Sequence, residues 1–143
     1  MDISGTLIAF NFCMRILAVD DEKLICWALK RSFEKKLGYS VCCAYSGLEA
    51  LDKIKEKQYD ALITDLNMPD MNGVELIKKV REMGMNIPVV VISSHFSMNV
   101  LDSILQYGVS RCISKPFQIE DVLVGIKEAA NLVHPAEQAI ASS

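Results

Sequence analysis

No apolar run in this 143-residue chain reaches the roughly 18 residues a membrane-spanning helix needs, although 51 % of its residues are apolar. Basic residues are too few to form a stripe. Fifteen Lys and Arg stand against 18 Asp and Glu, a net charge of −3, which makes this segment a poor nucleic-acid binder by itself. The five cysteines, Cys13, Cys26, Cys42, Cys43 and Cys112, are odd in number and lack the spacing of a metal site. Free thiols in a reducing cytosol are therefore expected. Cys42 and Cys43 are neighbours on an extended segment, so they should point to opposite faces. The apolar piece from Leu7 to Phe12 has no basic residues before it and makes a weak signal peptide. Internal repeats and low-complexity stretches are absent. The length fits one domain with a core of fair size.

What is present is a regular alternation. Strand-like runs at Arg15–Val19, Val41–Tyr45, Ala61–Thr64, Pro88–Ser93 and Arg111–Ser114 are separated by segments of helical period at Lys23–Leu37, Gly47–Lys57, Gly73–Met83 and Ser97–Tyr107. A last helix is predicted from Gln118 to about Val133, with Ile119, Val122, Leu123, Ile126 and Ala130 on one stripe. Such alternation implies a parallel sheet with helices on both faces. Gly38 and Gly108 suit helix ends, and Ser46 suits an N-cap. The Gly73 helix carries Val74, Ile77 and Val80 on one side, with Lys78, Arg81 and Glu82 read as solvated.

Three of the strands end on charge. Asp20 and Asp21 follow the first, Asp65 follows the third, and Lys115 precedes Pro116 after the fifth. Ligands of open α/β sheets bind outside the carboxyl ends of the strands. Three carboxylates and an ammonium are thus expected at one edge. Like charges so close resist joint ionisation, and a hard divalent cation such as Mg2+ resolves the conflict.

These residues carry a resemblance. Val19-Asp20-Asp21-Glu22, Thr64-Asp65-Leu66-Asn67-Met68-Pro69-Asp70-Met71-Asn72-Gly73, Val91-Ile92-Ser93-Ser94, Gly108 and Ser114-Lys115-Pro116-Phe117, in that order, resemble the response-regulator receiver domain of two-component signalling. The resemblance spans about residues 14–132. It implies a doubly wound, flavodoxin-like five-stranded parallel sheet of order 2-1-3-4-5 flanked by five helices. It implies that Asp65 accepts a phosphoryl group from a sensor histidine kinase or phosphotransfer protein, in a Mg2+-dependent reaction in the cytoplasm. Asp21 and Asp65 would bind the metal through their carboxylates, Asp20 through water and Asn67 through its backbone carbonyl. Lys115 would contact the aspartyl carboxylate and then the phosphoryl group, with a cis peptide to Pro116. Ser93 would supply the switch hydroxyl. In the family, the positions of Asn67 and His95 tune dephosphorylation; a solvated loop histidine is the simpler reading of His95. Gly73 is read as permitting a tight turn and Pro69 as shaping the same loop.

The resemblance also implies surfaces. A phosphotransfer helix would dock on Leu24, Ile25 and Ala28, beside Pro116 and Phe117. The fourth helix is apolar nearly all round, with Met98, Val100, Leu101, Ile104, Leu105 and Tyr107. Core packing is its default reading. A homodimer or effector face at Leu101, Leu105 and Cys112 is the alternative. Cys112 stands where the family usually has an aromatic residue three before the lysine, so half of the usual switch is missing. The fifth strand also lacks the acidic-aromatic pattern of receivers from winged-helix transcription factors. An aspartyl phosphohydrolase would need a second Asp two after the nucleophile, where Asn67 stands. A flavodoxin-like cofactor binder would need a phosphate loop where Asp20-Asp21-Glu22 would repel one. A constitutive interaction receiver is the remaining alternative, and the complete set of Asp20, Asp21, Asp65, Ser93 and Lys115 argues against it. Residues 1–13 read as an extension upstream of a start at Met14, and 133–143 as a tail or the start of a linker. A stand-alone regulator and a piece of a longer one are both compatible with that tail.

Overall fold

A computed structural model describes residues 13–133. The apolar piece Leu7–Phe12, the rest of the extension before Cys13 and the tail from His134 lie outside the described residues. The elements run β1 (Arg15–Val19), α1 (Lys23–Leu37), β2 (Ser40–Ala44), α2 (Gly47–Glu56), β3 (Ala61–Asp65), α3 (Gly73–Glu82), β4 (Val89–Ser93), α4 (Met98–Gln106), β5 (Arg111–Ser114) and α5 (Ile119–Val133). All strand pairs are parallel and the order is β2-β1-β3-β4-β5, as expected. None of the described helices is long and apolar enough to cross a membrane.

Side chains alternate between the two faces of the sheet. Leu17, Val19, Leu62, Val89 and Val91 pack with Ala50, Ile54, Leu76, Ile77, Val80 and Ile104 of α2 to α4. Ile16, Ala18, Ile63, Val90 and Ile92 pack with Leu29 and Phe33 of α1 and Val122, Leu123 and Ile126 of α5. Because β3 and β4 are covered on both faces, every residue in them is buried, which explains their unbroken apolar runs. Local signals agree with this packing. The side-chain oxygens of Ser46, Asn72 and Ser97 accept from the backbone amides of Glu49, Glu75 and Val100 and so cap α2, α3 and α4. Gly38 ends α1 in the left-handed conformation, φ 67°.

Several boundaries differ by a single residue from the sequence reading, and those of β2 and β3 have a clear reason. β2 begins at Ser40 and ends before Tyr45, because the Ser40 amide donates to the Met14 carbonyl at 2.9 Å and Ser40 pairs with Arg15. Polarity hid that residue from a search for apolar runs. β3 continues to Asp65, which pairs with Ile92 of β4.

Arg81 is also corrected: it is half-buried rather than solvated. Its guanidinium donates to the carbonyls of Tyr107 at 2.6 Å, Met85 and Ile87 at 2.8 Å and Gly108 at 3.4 Å. One planar fork thus ties the end of α3 to the loops before β4 and β5. Charge-assisted hydrogen bonds are the strong ones, so Arg81→Ala is expected to cost about 2 kcal/mol in urea unfolding. Arg81→Lys should recover less than half of that, because an ammonium cannot span the four acceptors. Full recovery by lysine would show that charge alone matters there.

Candidate functional site

The register of the sheet brings the charged residues together. Val19 pairs with Thr64, Asp65 with Ile92 and Ser93 with Ser114, so β1, β3, β4 and β5 end nearly level. The Lys115 amide then donates to the Ser93 carbonyl at 2.8 Å, and the Asp20 amide to Ala44 at 3.1 Å. The next residue of each chain segment is therefore held at the same edge.

Asp20, Asp65 and Ser93 are buried, while Asp21 is exposed. One carboxylate oxygen from each of Asp20, Asp21 and Asp65 lies within 4.8 Å of the others. Lys115 Nζ stands between two of them, 3.0 Å from Asp20 Oδ2 and 3.0 Å from Asp65 Oδ2, with its own side chain only 12 % exposed. Glu22 Oε1 completes its shell at 3.2 Å, a contact the sequence reading did not foresee. That third contact is largely solvated and contributes little. The Lys115–Pro116 peptide is cis, as the resemblance implied.

Hydrogen bonds hold the second oxygens. The Glu22 amide donates to Asp20 Oδ1 at 2.9 Å, and the Asn67 amide to Asp65 Oδ1 at 3.1 Å. The Asn67 side-chain amide donates to Ser93 Oγ at 3.2 Å, and the Ser93 hydroxyl donates to the His95 carbonyl at 3.0 Å. Ser94 and His95 are exposed at the rim. Burial pushes the Asp20 carboxyl up from its ordinary range, and the Asp65 charge adds to this; the Glu22 amide and Lys115 work in the opposite direction.

Burial disfavours the charge on Lys115, but hydrogen bonds and charge from Asp65 and Asp20 outweigh it and hold its pKa above the ordinary 10.5. The folded state therefore binds this proton more tightly than the unfolded chain. Its contribution to stability is complete below pH 10.5 and is lost as pH rises past that value. In the presence of a chelator, Lys115→Met should be about 3 kcal/mol less stable at neutral pH, because it leaves two buried carboxylates without their partner. The gap to the wild type should narrow above pH 10.5. A gap that stays constant across that range would refute the ion-pair account.

Gly73 plays a different part from the one expected. Its φ is not positive, so turn conformation does not require glycine here. Proximity does: a Cβ at Gly73 would meet the Asp65 carbonyl oxygen and come within 2.8 Å of Leu66 Cα. The left-handed residue of this loop is Asp70, φ 69°.

The surfaces named from sequence are placed as follows. Leu24 is 74 % exposed, and Leu24, Ile25, Ala28, Pro116, Phe117 and Ile119 line an open cavity of about 520 Å3 that also touches Lys115 and Ser94. On α4, Ile104 is fully buried, while Val100, Leu101 and Tyr107 are half-buried against the core. Met98 and Leu105 are 73 % and 62 % exposed. Core packing thus accounts for most of the apolar residues of α4 but not for these two. Cys112 is half-buried against the same core.

Comparison with known proteins agrees with this geometry. The family model described as "Response regulator receiver domain" matches residues 16–127. "Response regulator MprA" of Mycobacterium avium (strain 104) is 34 % identical over 126 residues, 88 % of this chain and 55 % of the relative. The chain thus spans about half the length of the curated relatives it matches. Among solved structures, the receiver domain protein (CheY-like) from Methanospirillum hungatei JF-1 superposes with a TM-score of 0.82 at 29 % identity, covering 87 % of this chain and 99 % of that one. The Francisella response regulator 1452 receiver domain gives 0.76 at 30 % identity, covering 84 % and 98 %. An acidic pocket at the carboxyl edge of a 2-1-3-4-5 sheet, closed by a strand-end lysine, together with these matches, shows that the chain belongs to the response regulator receiver domain family.

Proposed function

We propose that Asp65 is the phosphoacceptor of a phosphorelay switch and takes its phosphoryl group from a histidine kinase or phosphotransfer protein. The observation that carries this reading is the pairing of Lys115 Nζ with both Asp65 and Asp20 at 3.0 Å, in a pocket with a third carboxylate at its mouth. One oxygen of Asp65 attacks phosphorus, the bond to the donor nitrogen breaks, and its electron pair leaves with the imidazole. The product is an aspartyl phosphate. Phosphoryl transfer asks chiefly for position and charge neutralisation. The amide of Asn67 and the ammonium of Lys115 fix the Asp65 carboxylate from two sides.

The donor set fits Mg2+. It is made of oxygen only, and one ammonium does not balance three carboxylates. Asp20, Asp21, Asp65 and the Asn67 carbonyl would hold the ion, which when bound neutralises the charge on acceptor and phosphoryl oxygens.

The Ser93 hydroxyl is engaged by Asn67 and His95 at the edge of the acceptor site. A phosphoryl oxygen on Asp65 would compete for that hydroxyl and draw the loop before α4 inward. The readout surface is then the exposed edge of α4, with Met98 and Leu105, and the neighbouring β5 with Cys112. A second copy or an effector would bind there. The apolar cavity at Leu24, Ile25 and Phe117 adjoins Lys115 and suits an incoming phosphotransfer helix.

The test is intact mass after incubation with acetyl phosphate. One phosphoryl adduct is expected with Mg2+ and none with EDTA. Failure of the wild type to form an adduct, together with an unchanged spectrum on adding beryllofluoride and Mg2+, would reject the switch.

A further inference from the structure

Cys26 and Cys43 take no part in the site described above. Cys26 lies near the start of α1 and is fully buried; Cys43 lies in β2 beneath that helix and is half-buried. Cys43 Sγ lies 3.5 Å from the Cys26 carbonyl oxygen, and Cys26 Sγ lies 3.9 Å from the carbonyl oxygen of Ala44, the residue after Cys43, so the two side chains meet where α1 crosses β2. The other thiols are placed elsewhere. Cys42 and Cys112 pack on the opposite face, and Cys13 sits by the Gly38 carbonyl. The neighbouring Cys26 thiol, with help from the positive charge of Lys30, lowers the pKa of the Cys43 thiol, while the same pairing and burial push the Cys26 thiol up. Cys43 is therefore more readily ionised than an ordinary thiol, and the thiolate is the form that reacts with oxidants.

We propose that Cys26 and Cys43 form a peroxide-oxidisable dithiol whose disulfide staples α1 to β2 beneath the acidic pocket. In the first step the Cys43 thiolate attacks one oxygen of hydrogen peroxide. The O–O bond breaks, hydroxide leaves and takes a proton, and Cys43 becomes a sulfenic acid. The Cys26 sulfur then attacks the Cys43 sulfur, the S–O bond breaks, and water leaves with the Cys26 proton. Two thiols and one peroxide give one disulfide and two waters. The Cys26 sulfur lies 3.4 Å from the Asp20 carbonyl oxygen, so the bridge alters the support of the pocket from behind. Bridge formation itself does not rest on the phosphoacceptor reading.

The experiment treats the native protein with hydrogen peroxide, alkylates it under denaturing conditions without reductant, and maps the peptides. The expected result is a mass lower by two hydrogens and one link between the Cys26 and Cys43 peptides, both reversed by dithiothreitol. Cys43→Ser and, separately, Cys26→Ala should not form it. Sulfinic acid at Cys43 with Cys26 still free, a bridge between other cysteines, or a pair that stays reduced while Cys13 is oxidised would each overturn the proposal. Because the wild type is mapped directly, the answer does not depend on either variant folding.

Discussion

Asp65→Asn is expected to take up no phosphoryl group from acetyl phosphate under conditions in which the wild type gains one. The amide has nearly the shape of the carboxylate but no negative oxygen to attack phosphorus. Asp65 is buried among β3, Lys115 and Asn67, so an isosteric replacement keeps the packing. Lys115 still has Asp20 at 3.0 Å. Stability should therefore change by no more than about 1 kcal/mol, since the ammonium keeps one buried partner and the pocket loses one of its repelling carboxylates. Loss of the adduct with the fold intact separates chemistry from structure. Asp52→Asn, at an exposed position on α2, serves as the control and should be phosphorylated like the wild type. An adduct that persists in Asp65→Asn and maps to Asp20 or Asp21 would move the acceptor role off β3.

The site was legible because its members interrupt apolar runs. Asp20 and Lys115 each follow a strand and Asp65 ends one, and a parallel sheet brings such ends to one edge. The alternation of strand and helix patterns gave the layers, and Gly38 and Ser46 marked ends where the backbone needs them. What escaped depends on distance in space rather than on pattern. Arg81 sits on the polar side of a helical stripe, and nothing in its neighbours reveals that four carbonyls from two loops converge on it. Glu22 reads as a helix-start acid, yet it closes the shell of Lys115 from 93 residues away. The Cys26–Cys43 contact joins a helix to a strand 17 residues on, a separation with no periodic signature. On α4, composition alone could not divide Ile104, which is buried, from Leu105 beside it, which is exposed. That division sets which residues of the helix are free to meet a partner.

Gly73→Ala is expected to damage the fold and the chemistry together, for one reason. The new methyl would press on the Asp65 carbonyl and lie 2.8 Å from Leu66 Cα and 3.0 Å from the Asp65 carbonyl carbon. All three obstacles are backbone, and the Gly73 amide is tied to the Leu66 carbonyl at 2.9 Å, so α3 cannot simply slide away. Overpacking of this kind costs about 3 kcal/mol. The part that must give is the segment carrying Asp65, the proposed acceptor. Displacement of a reacting group by about 1 Å can cost 100-fold in rate, and a loss of that order in phosphoryl uptake is expected even where the variant is fully folded. Gly47→Ala makes the comparison. Its Cβ would meet Met71 Cβ and Cγ at 2.9 Å and Sδ at 3.0 Å; Cγ and Sδ can leave by a change of rotamer, while Met71 Cβ must shift with its loop. About 1 kcal/mol should be lost there, with uptake near that of the wild type. Urea unfolding and the rate of adduct formation, measured on both variants, decide the matter. Equal losses at Gly73 and Gly47 would mean that the close approach of α3 to the Asp65 backbone is not what demands glycine at position 73.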